Sequence, residues 1–329
     1  MIVSICVVAY NEQDYLNDLL MCICQQTYPH EFIEVVLIDS MSTDETALMM
    51  SEFKENHPEF WGVQVLKNEK KIQATGWNVA INHYKGDLIT RIDAHSTIPS
   101  DFIEKNVTCI QSGETISGGH LVCVSDTDNF WEKTLLKAET SLFGSGIAPF
   151  RRKVGRFHVK LMSHPTYKRE VFESVGLFNE HLGRTEDNEM SYRIRKAGYQ
   201  YCYDSSIESY HHVRNSLKSM IKQKFLNGYW IGLTIGYNIS CLSLYHFVPG
   251  LFVLSILLTT IFSIFGYAQL ALVLWITYIG LAILMALLAS DRKMMVLILP
   301  FLFCILHVSY GLGSFWGIII MPYWKSKID

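Results

Sequence analysis

The sequence predicts an α/β domain with a mostly parallel sheet, followed by transmembrane α-helices, on three observations. β-branched runs alternate with segments of helical period from the first residues onward, the pattern of a parallel sheet with helices on both faces. Acidic residues recur where those runs end, which is where open parallel sheets bind ligands. Finally, no Asp, Glu, Lys or Arg occurs over 247–290 or over 294–324. Apolar stretches of that length suit helices that cross a hydrocarbon core, each needing ~20 residues.

The elements follow in order. Residues 2–9 (IVSICVVA) form a strand that stops at Tyr10-Asn11-Glu12, and Tyr15, Leu16, Leu19, Leu20 and Ile23 then recur at helical spacing. A second strand over 32–38 ends at Asp39-Ser40. Ser42 with Glu45 three residues on has the form of a capping box, so a helix is expected to start there. Residues 63–66 make a third strand, 71–84 a helix and 87–92 a fourth strand that delivers Asp93. Beyond it the pattern loosens: a strand over 116–125, a helix over 130–142, a glycine-containing basic stretch from Phe143 to Arg156, and a helix over 187–197 closed by Gly198. The segment 216–229, with Lys218, Lys222 and Lys224, is amphipathic and basic and stands just ahead of the apolar tail. Such a helix lies in a lipid interface or simply on a solvated surface.

The tail divides into three spans, 247–265, 270–289 and 294–321, parted by Gly266-Tyr267 and by Asp291-Arg292-Lys293. Residues 1–230 therefore read as a soluble domain and 231–329 as a membrane domain. The basic loop before the third span is expected on the cytoplasmic side. Three spans then put Lys325 and Lys327 outside, against the charge rule, and Gly311, Gly313 and Gly317 offer a place for the last segment to break or re-enter. The N-terminus lacks the basic region and cleavage site of a signal peptide. The eight cysteines are scattered and form no C-x-x-C pair; this usage fits a reduced, cytoplasmic compartment. A net charge of −3 gives no electrostatic grip on nucleic acid.

Asp39, Asp93-Ala94-His95 and Glu186-Asp187 form the strongest chemical constellation. Each acidic group follows a strand or opens a helix. A carboxylate with one further ligand can hold a divalent cation against the charge of a leaving diphosphate, and Asp93 with His95 suits that task. Asp187 suits a general base beside an acceptor hydroxyl; as an opening residue of a helix it has an N-cap role as the alternative. Glu12 has a plain reading as a charge at a helix N-terminus. His211 and His212 read as surface groups or metal ligands, His158 and His164 as structural or solvated, Trp77 as packing. Arg151, Arg152 and Lys153 form either a solvated basic loop or a site for a lipid diphosphate.

The ordered series VSICVVAYNE, IDSMSTDET, KKIQATGWNVAI, DLITRIDAHSTIP, FGSGIAPFR, RTEDNEMSYRIRKAGY and SYHHVRNSLKSMIKQKFLNGYW resembles the family-2 glycosyltransferases of the GT-A, Rossmann-like fold. It is most similar to the succinoglycan-type bacterial exopolysaccharide transferases. The likeness covers the whole soluble part. It implies a nucleotide-sugar donor, a divalent metal (Mn²⁺ or Mg²⁺), and roles position by position. Tyr10, Glu12 and Asp39 would line the nucleoside pocket, with Lys71 and Asn78 near the donor. Asp93 would meet ribose or diphosphate, His95 would be a metal ligand, and Asp187 the base. Glu186, Arg214, Gln223 and Trp230 would serve the acceptor and the diphosphate. The expected activity is inverting transfer from a nucleoside-diphosphate sugar, a UDP-sugar, to a lipid-linked saccharide. The expected place is the inner membrane, with the catalytic domain cytoplasmic.

Two departures qualify the likeness. Many relatives carry a second Asp where this chain has His95, and Gln223 is not followed by the Arg-Trp of processive synthases. Transfer of a single sugar is therefore expected rather than polymerisation. A polyprenyl-phosphate sugar synthase and a non-catalytic membrane protein that binds nucleotide-sugars are the rival readings. The absence of G-x-G-x-x-G after the first strand argues against a dinucleotide oxidoreductase.

Overall fold

The computed structural model describes residues 1–144, 146–147, 154–213, 215–290 and 292–328. It divides into two compact units: Met1–Val122 with Pro149–His212, and Cys123–Ala148 with Val213–Asp329. The expected boundary at 230 instead falls inside a continuous helix, and the segment over 123–148 groups with the C-terminal unit.

In the first unit, β1 (Val3–Ala9), β2 (Ile33–Asp39), β3 (Gly62–Lys67) and β4 (Leu88–Asp93) pair in parallel in the order β3-β2-β1-β4. All seven residues of β2 are buried, as are six of the seven in β1. Strands covered on both faces need continuous apolar runs, which is why IVSICVVA and IEVVLID carry no alternation. Helices α1 (Leu16–Cys24), α2 (Thr46–Asn56) and α3 (Gln73–His83) connect them.

After β4 the sheet changes character. The short β5 (Ser96–Thr97), β6 (Ile116–Val124), β7 (Arg156–Val159), β8 (Thr166–Lys168) and β9 (Tyr201–His212) extend it in the order β4-β8-β6-β9-β5, with β7 on β9. The pairings of β4 with β8, β6 with β8, and β9 with both β5 and β7 are antiparallel. The sheet is thus mixed, parallel over its N-terminal half. Helices α4 (Phe102–Gln111), α6 (Arg169–Val175) and α7 (Glu186–Lys196) complete the unit. Gly198, at φ +95°, follows the end of α7, and its N–H donates to the Arg195 carbonyl.

The second unit holds α5 (Phe130–Thr140), α8 (Leu217–Asn238), α9 (Val248–Ile264), α10 (Ala268–Ala289) and α11 (Lys293–Lys325). Among the described residues, three helices are long and apolar enough to cross a membrane: Leu244–Ile264, Ala268–Ala289 and Lys293–Lys325. The glycines of the last one do not break it. They let α8 lie against α11 backbone to backbone. A Cβ on Gly317 would stand 2.1 Å from the Tyr229 carbonyl oxygen, and one on Gly228 would stand 2.0 Å from that of Tyr310. Gly228-x-x-x-Gly232 on α8 faces Gly313-x-x-x-Gly317 on α11, the small-residue geometry by which helices approach closely in lipid. Lys224, on α8, is buried and pairs with Glu139 of α5 at 2.8 Å.

Candidate active site

The parallel register lines up the strand ends that carry the acidic groups. Asp39 pairs with Ala9 and Asp93 with Val8, so the two carboxylates flank the end of β1. The loops leaving these strands are held in tight turns. Asn11, Met41 and Lys71, just after β1, β2 and β3, all have positive φ (54°, 61° and 59°). Backbone in this region is costly for residues other than glycine, and such strain collects at functional sites. Polar side chains fasten the loops to one another. The Asn11 N–H donates to Ser42 Oγ (3.1 Å), the Thr43 N–H to Asn11 Oδ1 (2.8 Å), and the Ser42 N–H to Asp39 Oδ1 (3.0 Å). Ser42 therefore caps no helix. α2 begins only at Thr46, because Ser42 Oγ is engaged by the first loop.

Tyr10 is exposed, and the Lys71 ammonium lies 5.8 Å from its ring centre, while Asp39 is buried at the end of β2 opposite Ala9. Glu12 instead turns to His95, with Oε1 3.1 Å from Nδ1. Asn78 is also engaged elsewhere. Its amide donates to the Phe178 carbonyl (2.9 Å) and to Glu180 Oε1 (3.1 Å), and its oxygen accepts from the Phe178 N–H (2.8 Å). It fastens α3 to the turn after α6, which is why it is buried.

Around Asp93 the antiparallel half supplies partners that the local sequence does not announce. His211, near the end of β9, stands edge-on to His95 at 4.8 Å between ring centres, an arrangement set by the pairing of Ser96 with His211. One ligand atom each from Asp93, His95 and His211 falls within 4.8 Å of the others. One carboxylate oxygen and two imidazole nitrogens fit a divalent cation, and Glu12 holds His95 through Nδ1, the kind of carboxylate support that metal-binding imidazoles carry. His164, at φ 49° and buried, reaches Asp93 Oδ2 at 3.4 Å while its Nδ1 bonds Ser209 Oγ at 2.9 Å. Burial pushes the Asp93 carboxyl up. The hydrogen bond and charge of His164, with His95 and His211 behind it, outweigh burial and hold it well below the usual carboxylate range.

Asp187 is the second residue of α7, so it is no N-cap; Thr185 occupies that position. Its carboxylate, 43% exposed, meets the Arg91 guanidinium at 2.9 Å. Arg91 is buried and lies between the rings of Trp77 (4.3 Å) and Phe178 (4.6 Å). Glu186 beside it is buried, and its Oε2 has no hydrogen-bond partner among the described residues. Burial first, then the Asp187 charge, push its carboxyl up. The site thus holds a carboxylate paired with a fixed cation, next to a carboxyl that burial pushes toward its protonated form. Gln223 and Trp230 lie on α8 in the second unit, where Trp230 packs edge-on against Tyr229 and Trp324. Arg214, and the basic run Arg151-Arg152-Lys153, lie outside the described residues.

Arg91, His164 and His211 are the site residues that sequence reasoning missed or set aside. Arg91 did carry a signal, a lone cation inside the apolar strand LITRID. For the two histidines the proximity to Asp93 exists only through the sheet.

The sequence profile described as Glycosyl transferase family 2 matches residues 4–176, just over half of the chain. The chain belongs to glycosyl transferase family 2. Among its family-2 relatives, the dolichyl N-acetyl-alpha-D-glucosaminyl phosphate 3-beta-D-2,3-diacetamido-2,3-dideoxy-beta-D-glucuronosyltransferase of Methanococcus voltae is 26% identical over 323 residues. That match covers 96% of this chain and 97% of the relative. The succinoglycan biosynthesis protein ExoA of Rhizobium meliloti is 28% identical over 195 residues, 58% of this chain and 57% of that protein. Among solved structures, S. aureus TarS in complex with UDP-GlcNAc superposes with a TM-score of 0.52 at 17% identity, over 70% of this chain and 66% of that one. The mannosyltransferase PcManGT from Pyrobaculum calidifontis, in complex with GDP-Man and Mn²⁺, does so at 0.50 and 21% identity, over 68% and 61%. These likenesses make the first unit a GT-A domain and the chain a glycosyltransferase.

Proposed function

We propose that the protein is an inverting glycosyltransferase that moves one sugar from a UDP-sugar to a lipid-linked saccharide at the cytoplasmic face of the inner membrane. The observation that carries this reading is the pairing of two groups in one site: the Asp93–His95–His211 set, and Asp187 held at Arg91. Tyr10, Asp39 and Lys71 take the nucleoside end of the donor. Asp93, His95 and His211 would hold a divalent cation, whose charge offsets the diphosphate as it leaves; two imidazoles favour Mn²⁺ over Mg²⁺. Asp187 accepts the proton of the attacking hydroxyl, and Arg91 at 2.9 Å keeps it aimed. A single displacement with one base inverts the anomeric configuration. The lipid-linked acceptor is supported by the Methanococcus voltae relative, whose name gives a dolichyl-phosphate-linked sugar as acceptor and whose match runs through the apolar helices.

The test is a transfer assay on purified protein, with UDP- and GDP-sugars as donors and two acceptors, polyprenyl phosphate and a polyprenyl-diphosphate saccharide. Transfer to the saccharide is expected. Product from bare polyprenyl phosphate alone would identify a synthase of lipid-phosphate sugars, and absence of turnover with every donor would overturn the reading. For orientation, single cysteines placed beside Arg292 are expected to resist an impermeant thiol reagent applied to intact cells.

A further inference from the structure

A second cluster of metal-binding side chains lies in the first unit, at the other end of β9. His158 on β7 and Cys202 on β9 are directly opposed across an antiparallel pair, which sets their side chains on one face. Glu114, in the turn after α4, brings Oε2 to 3.2 Å from His158 Nε2. Ligand atoms of Glu114, His158 and Cys202 all fall within 4.8 Å of one another. Cys109, on α4, is close enough to supply a fourth donor after a side-chain adjustment: its Sγ is 3.5 Å from that of Cys202 but lies outside the three-atom group. The Glu114–His158 contact is an ordinary hydrogen bond and the Cys109–Cys202 contact a weak one, and both distances also suit donors that share a cation.

We propose that Cys109, Cys202, His158 and Glu114 form a structural site for a thiophilic divalent cation, zinc by preference, that clips the edge strand β7 to α4 and β9. Three observations support it. Bonds of zinc to sulfur and nitrogen imply ligand-to-ligand edges of about 3.3–3.8 Å in a tetrahedron, and the cluster already shows edges of 3.2 and 3.5 Å. The charges balance: two thiolates, one carboxylate and the neighbouring Arg156 offset a dication. Arg156 donates from Nε to Cys202 Sγ at 3.2 Å, and its other end is fixed by Ser112. An N–H aimed at a ligating sulfur is the outer support such sites carry. Access is also suitable, because both cysteines are buried while His158 is 47% exposed and opens the cluster to solvent.

This site is distinct from the one at Asp93. Cys202 and His211 are nine positions apart on one strand, about 30 Å at the usual rise. The donor chemistry also differs, since the Asp93 set contains no sulfur and the β7 cluster contains two. On binding, both thiols lose their protons to solvent and two metal–sulfur bonds form.

The test uses the full chain in detergent, reduced and stripped with chelator, then titrated with Co²⁺ and back-titrated with Zn²⁺. A sulfur-to-cobalt charge-transfer band saturating at one ion per chain, and displaced by zinc, is expected. The Asp93 site cannot produce that band, so His95→Ala should leave it intact. Cys109→Ser with Cys202→Ser should abolish it. Because that pair is buried and its replacement risks misfolding, His158→Ala, at a half-exposed position, is the second probe. Arg156→Ala is expected to weaken cobalt binding by about 10- to 100-fold, and His158→Ala by at least as much. Absence of the charge-transfer band in the reduced wild type would overturn the proposal. So would unchanged cobalt affinity in His158→Ala, or a Cys109–Cys202 disulfide whose reduction yields no metal uptake.

Discussion

Replacing Asp187 by asparagine removes one negative charge and leaves the shape of the side chain nearly unchanged. Two consequences follow from its surroundings. As the proposed base, it takes with it the group that accepts the acceptor's proton, so turnover is expected to fall by roughly 10²–10⁴. As the partner of Arg91, it leaves a guanidinium with 9% of its side chain exposed and no full counter-charge at 2.9 Å. Breaking a fully buried pair costs about 3–5 kcal/mol, whereas exposed pairs are worth under about 1 kcal/mol. Asp187 is 43% exposed, the amide oxygen still faces the guanidinium, and the Trp77 and Phe178 rings still flank it. An intermediate loss of about 1–2 kcal/mol is therefore expected. Arg91→Met with Asp187→Asn should recover part of that stability, because no buried charge is left uncompensated, and should recover none of the activity. Thermal unfolding, UDP affinity and turnover measured on one preparation of each variant separate the two effects. Turnover of Asp187→Asn within a few-fold of wild type would refute the base assignment. Activity returning in the double variant would show that Asp187 acts only by neutralising Arg91.

Three further outcomes are expected. His211→Ala should weaken Mn²⁺-dependent nucleotide binding about as much as His95→Ala does, read by calorimetry with and without chelator; a His211→Ala protein that binds like wild type would remove that residue from the metal site. Glu186 has a raised carboxyl in the folded state, so the native protein holds that proton more tightly than the unfolded chain. Its contribution to stability is present below the unfolded value of about 4.3 and is lost as pH rises toward the raised folded value. Glu186→Gln should flatten the decline in melting temperature over that window in chelated, donor-free protein, and parallel declines in the two proteins would contradict this. Gly317→Ala, which brings a Cβ to 2.1 Å from the Tyr229 carbonyl oxygen, should destabilise by about 1–3 kcal/mol as overpacking does, although alanine is the better helix former. Gly280→Ala on α10, where a Cβ meets nothing within 4 Å, is the control that should be neutral or stabilising.

Much of this protein is legible locally. The parallel half of the sheet follows from runs such as IEVVLID, because a strand buried on both faces needs a near-continuous apolar run rather than alternation. Asp39 and Asp93 are placed by the same logic, since a parallel sheet brings all its carboxyl ends to one side. The three apolar helices follow from length and missing charge alone. These are properties of single segments or of neighbours in the chain. The antiparallel half is different, because it pairs β4 with β8 and β5 with β9 across long stretches of sequence. Nothing near His95 specifies that His211 will stand beside it, and nothing near Asp187 specifies Arg91. The same holds for Asn78, drawn to Phe178, and for Gly317, whose missing side chain admits the backbone of α8 instead of breaking α11. The sequence alone determined the four parallel strands and β6, which helices are apolar enough for a membrane, and which end of the sheet carries acid; the antiparallel β5, β7, β8 and β9 were not read from it. Only tertiary structure decided which side chains share a site, because that depends on register between distant strands and on helix faces that meet only once the chain is folded.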